Sequence, residues 1–440
     1  MRILISFLVL VTGAGFALGE DFTPESAAAF ALRHNKDLVA ARHLIAEAEG
    51  RLVQAGLWNN PEFEFRTEFD ARTEEGKRLY EGGFMQRFPW SGRLTQARAA
   101  ARVDVAMAVE ELRDKERLLA GNVLGKARAL LVVESKLRLN DENRELLERI
   151  FQQTSALTAT GQASAAEARV IELEQTTLDL SREALSVERG ARLAELNGLL
   201  GRPPGQTLSV AGALPEAPDS ASLRSAAATA PRRRPDRQLA VLQIDKARAE
   251  QRLARAERWE DLGVGAGVVR DREEGMYETM VGLKVSVPLP LWNRNQGRIA
   301  ETQARQERAA ASVEALDLAI ASEIREAQAR VTGLAAVLNR TRGPALDLAR
   351  KNTQLIQDTY ATGTASFLTV FESRKQRLSI EETALQTEEQ LAAAISDWEM
   401  RTGHFPARVR AALASEGRRA PKASISKKIV QPRTPKRNPR

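Results

Sequence analysis

From residue 62 to 70 the chain alternates strictly, with Phe63, Phe65, Thr67 and Phe69 interleaved between Glu62, Glu64, Arg66, Glu68 and Asp70. A period of two predicts a strand with one apolar and one charged face, at about 61–70. Beyond the polar segment 71–78, Tyr80, Phe84 and Phe88 share one face of a second strand at about 79–88. The alternation returns as Tyr277, Thr279, Val281, Leu283, Val285 and Val287 against Met276, Glu278, Met280, Gly282, Lys284 and Ser286, a strand at about 276–287. Its partner is placed at about 262–270, where Gly263, Gly265 and Gly267 suit close backbone packing. That glycine spacing is not a dinucleotide loop, because such a loop opens a helix and here a strand follows.

Elsewhere the period is helical. No Pro lies between Pro89 and Pro203, which allows very long helices, and a stretch from about 95 to 155 would reach ~90 Å at ~1.5 Å per residue. Leu112, Leu119, Val123, Leu130 and Leu137 have the spacing of a coiled-coil seam. Ile171, Leu178 and Leu185 form one heptad series and Leu173, Leu180 and Val187 another. The two series are ~200° apart around the helix, so that helix has an apolar stripe on each flank and belongs in a wall. Gly121-Asn-Val-Leu-Gly125-Lys126 is one residue short of a phosphate-binding loop and falls inside a helical stretch. Gly343-Pro344 predicts a kink or break in a later helix.

The chain is written twice. An offset of 201 aligns Leu38 with Leu239, Leu52 with Leu253, Ala55 with Ala256 and Trp58 with Trp259. An offset of 202 carries Ala159-Thr160-Gly161 onto Ala361-Thr362-Gly363 and Gly201 onto Gly403, while Gly92-Arg93 meets Gly297-Arg298 at 205. Such a period far exceeds that of solenoid repeats. It predicts two copies, 20–212 and 213–405, each ordered helix, two strands, long helix, tight turn, long helix.

Composition changes the picture at the ends. Arg2, the apolar run Ile3–Val11 and the small residues through Gly19 predict a cleaved secretory signal peptide over 1–19. Residues 406–440 are expected to form a basic, disordered tail; nine of its Lys and Arg lie in 417–440, and removing those nine from the formal charge of +7 leaves −2 for residues 1–416. The body is therefore not basic, and no nucleic-acid partner is expected. No Cys is present, which excludes disulfides, thiolate metal sites and a Cys nucleophile. His34, His43 and His404 are isolated, so no metal, cofactor or catalytic constellation is expected, and the chain does not read as an enzyme.

Trp58 precedes the first strand, Trp90 follows the second, Trp259 precedes the third and Trp292 follows the fourth. If both pairs are hairpins, all four rings fall on one rim, the position an amphipathic ring takes at a membrane interface. Strands of ~9–11 residues with one apolar face suit a transmembrane β-barrel. Four strands are too few to close one, and lipid does not tolerate an open sheet edge. The chain must then oligomerise, each copy donating four strands.

At this point the sequence resembles the TolC-like outer-membrane factor family of efflux pumps and secretion systems, over roughly 22–405. The segments that carry the likeness are Tyr360-Ala-Thr-Gly363-Thr-Ala-Ser-Phe367-Leu368-Thr-Val-Phe-Glu372, similar to the family's helical-hairpin tip, and its weaker first copy Thr160-Gly161-Gln-Ala-Ser164-Ala-Ala-Glu167. The run Val287-Pro-Leu-Pro-Leu-Trp-Asn-Arg-Asn-Gln-Gly297-Arg-Ile-Ala-Glu301 is similar to the heavy-metal (cobalt–zinc–cadmium) branch, with Phe88-Pro-Trp-Ser-Gly92-Arg93 as its counterpart. The resemblance implies a mainly α fold with a small membrane β portion: duplicated helical hairpins forming a periplasmic coiled-coil tunnel, and a shared trimeric barrel of twelve strands. It implies an outer-membrane transport protein that takes part in heavy-metal resistance, a passive conduit working with a periplasmic adaptor (membrane fusion) protein and an inner-membrane pump of the resistance-nodulation-division type.

On this reading Thr160, Gly161, Ser164, Tyr360, Thr362, Gly363, Ser366, Phe367 and Leu368 are adaptor-docking candidates at the tips. Glu167 and Glu372 are candidates for a periplasmic gate, a carboxylate ring that draws cations, with Arg169 and Arg374 close enough in sequence to neutralise them. Trp58, Trp90, Trp259 and Trp292 are the candidates for contact with outer-membrane lipid. Two other readings stay open: a channel for drugs, solvents or type I protein secretion, and a soluble periplasmic coiled-coil adaptor or scaffold.

Overall fold

The structure, a computed structural model, describes residues 20–69, 78–159, 164–273, 276–362 and 364–416. The signal peptide expected over 1–19, the tips Thr160, Gly161 and Gly363, and the tail cations of 417–440 lie outside them. The chain runs through β1 (Glu20–Phe22), α1 (Pro24–His34), α2 (Lys36–Gln54), β2 (Glu62–Phe69), β3 (Arg78–Phe88), α3 (Arg93–Ala159) and α4 (Ala165–Leu200). It continues through β4 (Leu208–Val210), α5 (Ser220–Arg233), α6 (Pro235–Ala256), β5 (Leu262–Glu273), β6 (Met276–Ser286) and α7 (Gln296–Arg340). A π-turn at Thr341–Ala345 leads into α8 (Leu346–Ala361), followed by α9 (Phe367–Thr402) and α10 (Ala407–Glu416).

The 67 residues of α3 make a rod of about 100 Å at ~1.5 Å per residue. Pro344 does not break its counterpart. The π-turn takes up the residue whose N–H is missing, and α7 and α8 run on through it. Ser164 and Ser366 cap α4 and α9 by accepting from the backbone N–H of Ala166 and Thr369. Gly201 and Gly403 close the same two helices in the left-handed conformation, at φ 74° and 67°.

β2, β3, β5 and β6 form one antiparallel sheet in that order, open at β2 and β6. β5 extends three residues past the expected 270, because Asp271 and Arg272 continue the ladder opposite Leu79 and Arg78. Its glycines permit the approach of β3: a Cβ on Gly265 would stand 2.8 Å from the Phe84 carbonyl oxygen. A short parallel pair, β1 with β4, ties the N-terminal segment to the linker after α4.

The main core gathers α1, α2, α3, α4 and α10 around Leu32, Ile45, Leu124, Leu130, Leu196 and Leu200. Disorder from residue 406 onward was expected, and the structure corrects this for 407–416. Val409 and Ala412 are buried in the main core and Leu413 packs against it, a helical spacing that the density of Arg obscures.

α9 lies against both α3 and α7. Gly121 sets its approach to α3, since a Cβ there would come within 2.7 Å of Met400 Cβ, whereas at Gly125 it would clear Ser396 Cβ at 3.6 Å. Gly125→Ala is therefore expected to stabilise the protein by roughly 0.5–1 kcal/mol through helix propensity. Gly121→Ala should lose that gain and more to overpacking, roughly 1–3 kcal/mol. Thermal melts of the two variants should shift in opposite directions.

Candidate functional site

The sheet's two faces follow from its register, because paired residues share a face. Phe63, Phe84, Ala266 and Leu283 form one transverse row, and Phe65, Gly82, Val268 and Val281 the next. This apolar face has no cover within the chain: Val281 is 78% and Leu283 85% exposed, and Phe63 meets Phe84 at 5.0 Å between ring centroids. The opposite face carries Glu62, Glu64, Arg66, Glu81, Met85 and Lys284, with small residues opposite Glu64 at Gly83, Gly267 and Gly282. One face is thus fit for lipid and the other for water, on a sheet with two unpaired edges. Among the described residues no helix is long and apolar enough to cross a membrane.

The four Trp stand where the sheet meets the helices. Trp90 and Trp259 touch edge to face at 5.4 Å, and the Trp90 indole N–H donates to the Glu260 carbonyl at 2.9 Å. Trp58 packs on Phe88 at 5.7 Å. Trp292 is exposed beside the equally exposed Leu289 and Leu291. Sequence reading missed the bond that fastens this junction, a two-pronged pair of Arg93 with Asp261 at 2.7 and 2.5 Å. Its signal was the position of Arg93 at the start of a helix, in the short turn between β3 and α3.

At the far end of the helices, Tyr360, Thr362, Ser366 and Leu368 are exposed around the α8–α9 turn, and Ser164 is exposed before α4. Phe367 differs from the other tip candidates. It is buried with Leu147, Ile171 and Leu178, close to Phe371, and so anchors the hairpin internally instead of presenting a docking surface. Ser164 and Ser366 spend their hydroxyls as helix caps, which fixes the turn geometry.

Glu167 is half-buried in the first turn of α4, and Glu372 is exposed on α9. The arginines near them in sequence are engaged elsewhere. Arg169 pairs with Glu172 at 2.7 Å, and Arg374 reaches the Gln357 side-chain carbonyl in the amide orientation that satisfies both groups. Further along α9, Lys375 meets Glu174 of α4 at 3.6 Å. Burial, and then the Glu174 charge, push the Glu382 carboxyl above the usual carboxylate range. Among the described residues no group of three or more His, Asp or Glu is placed to hold a metal ion.

The amphipathic open sheet is thus joined to a set of long helices, of which α3 reaches about 100 Å. Residues 227–396 match the outer membrane efflux protein family. The chain is 27% identical over 289 residues to the cobalt-zinc-cadmium resistance protein CzcC of Cupriavidus metallidurans, a match covering 63% of this chain and 65% of that one. It thus spans just under two thirds of the length of that curated relative. Among solved structures it is similar to the transmembrane channel protein CusC (TM-score 0.69, 16% identity, 86% of this chain and 92% of that one). The outer membrane protein VceC of Vibrio cholerae gives 0.67 at 16% identity, over 86% and 96% of the two chains. The outer membrane channel CmeC of Campylobacter jejuni gives 0.69 at 13%, over 90% and 89%. Residues 227–396 thus match that family, and the chain as a whole shares the fold of these solved outer-membrane proteins.

Proposed function

We propose that three copies of this chain form the outer-membrane channel of a tripartite efflux system that exports heavy-metal cations. The observation that carries the reading is the four-stranded sheet with an uncovered apolar face and two unpaired edges. Lipid leaves no backbone donor or acceptor unpaired, so the edges must be closed by further copies, and three give twelve strands. The helices then continue the barrel into the periplasm as a tunnel. The first and second repeats, 20–212 and 213–405, supply alternate segments of its wall, and the signal peptide at 1–19 directs export. Its exposed tips, at Tyr360, Thr362 and Leu368, are the docking surface for a periplasmic adaptor, which connects an inner-membrane pump of the resistance-nodulation-division type. Likeness to a cobalt-zinc-cadmium resistance protein favours divalent metal as cargo. On this reading the chain is a passive conduit and the pump selects.

Glu372, free of the neighbouring arginine, would present three carboxylates at the tunnel entrance and concentrate cations there. In planar bilayers the protein is expected to conduct with a preference for cations that weakens in Glu372→Gln. A strain lacking the chain should become sensitive to cobalt, zinc or cadmium and regain resistance when it is restored. Recovery of the protein as a soluble monomer, with no change in metal sensitivity on deletion, would overturn the proposal.

A further inference from the structure

The sheet–helix junction inside the chain is complete at one place and half-built at two others. Where β3 pairs with β5, Trp90 stands three residues before α3 and Trp259 three residues before β5. Their rings meet edge to face at 5.4 Å and an interplanar angle of 62°, with the Trp90 N–H on the Glu260 carbonyl. The other two tryptophans occupy corresponding places. Trp292 stands four residues before α7, and Trp58 four residues before β2. Strands β3 and β6 both run into long helices, and β5 and β2 both emerge from helices α6 and α2. A β6–β2 pairing therefore has the same antiparallel sense as the β3–β5 pairing. Within one chain it cannot form, because β2 and β6 are opposite edges of the sheet. Accordingly Trp292 is 87% and Trp58 60% exposed.

We propose that Trp292 of one chain closes edge to face on Trp58 of the next, so that a second copy completes the junction at each seam. This rests on the ring assembly proposed above and deepens it by naming the contact. The pairing at Phe88 already holds the Trp58 ring at the β2 edge. The Trp292 N–H then takes the carbonyl of Asn59, the counterpart of Glu260; that oxygen accepts from Gln86 Nε2 at 3.0 Å and keeps a second lone pair. One element is not repeated. Asp261, which receives Arg93, corresponds to Asn60, so the seam lacks the ion pair and depends on the ring contact and the indole bond. Edge-to-face aromatic pairs with a satisfied N–H suit this position, where apolar sheet meets polar helix.

The absence of Cys makes the test direct. The full-length double variant Trp58→Cys/Trp292→Cys, treated in membranes with a short bismaleimide, is expected to run as covalent dimers and trimers on denaturing gels. Each single variant should run as a monomer. Trp90→Cys/Trp259→Cys should link only within the chain and also stay monomer-sized. An amine-reactive crosslinker on the unmodified protein reports assembly independently. Trimers with that reagent but none through the 58/292 cysteines overturn the Trp pairing and leave the channel reading standing; no trimers with either overturn both. Should the double cysteine variant not assemble, the heat needed to dissociate the trimer decides. It should fall clearly in Trp292→Ala and much less in Trp292→Phe, and an unchanged transition in both variants would refute the contact.

Discussion

Arg128→Ala is expected to cost about 3–5 kcal/mol, the usual penalty for leaving one member of a buried ion pair without its partner. Arg128, on α3, is 1% exposed and donates to Glu399 of α9 at 2.7 and 3.2 Å and to the Ser396 hydroxyl at 2.7 Å. The pair sits two helical turns along α3 from the close approach at Gly121, in the same α3–α9 interface. Burial pushes the Glu399 carboxyl above its ordinary range, partly offset by Arg128 and reinforced by Glu25. A carboxyl whose folded pKa is raised contributes most to stability below its unfolded pKa and loses that contribution as pH rises through the folded value. Without Arg128 the upward shift grows, so the defect should be largest at neutral to alkaline pH and shrink on mild acidification. Thermal melts of the alanine variant at several pH values check this, and a loss independent of pH would mean that Glu399 stays solvated. Arg128→Met/Glu399→Leu should recover most of the stability, because replacing both charges removes the desolvation cost along with the attraction.

The sequence showed the strands better than the packing. Charges alternating with aromatics expose β2 directly, and a run of Val and Leu at every second position exposes β6, since one face needs water and the other does not. Phe367 reads as a docking residue only until its neighbours Ile171 and Leu147 are known. Those neighbours lie far away in sequence, on α3 and α4. The same distance hid Arg128 with Glu399 and Arg93 with Asp261: each partner taken singly is one charge among many along the chain. At Pro344 local chemistry spoke for a break, and the cost was absorbed by a π-turn that no single residue announces. α10 was obscured for another reason: it is short, and Arg408, Arg410 and the basic, Pro-containing segment that follows read together as one charged tail.

The two stripes of α4 had a meaning that became physical once one of them was found uncovered. Ile171 and Leu178 are buried in the chain, while Leu173, Leu180 and Val187 are 69%, 64% and 74% exposed. α9, which occupies the corresponding place in the second half, is flanked by both α3 and α7. α4 packs along α3, with α9 side chains reaching its Ile171–Leu178 side, and among the described residues nothing covers the opposite stripe, so in a ring that flank belongs to the next copy. Leu180→Glu is therefore expected to leave the helical content of the isolated chain intact, the position being solvated there, and to abolish the trimer. Each seam would lose the burial of a leucine, roughly 1.5–3 kcal/mol, and would have to bury an unpaired carboxylate at a further cost of several kcal/mol. In the proposed trimer, with three seams, the penalty triples, and on the proposed function metal resistance should fall to that of the deletion strain. Leu180→Met keeps apolar volume and should assemble normally. Trimer recovery in detergent, measured beside circular dichroism of the same samples, separates failed assembly from failed folding. If Leu180→Glu assembled with unaltered heat stability, the stripe would face water in the assembled channel and α4 would need no neighbour on that flank.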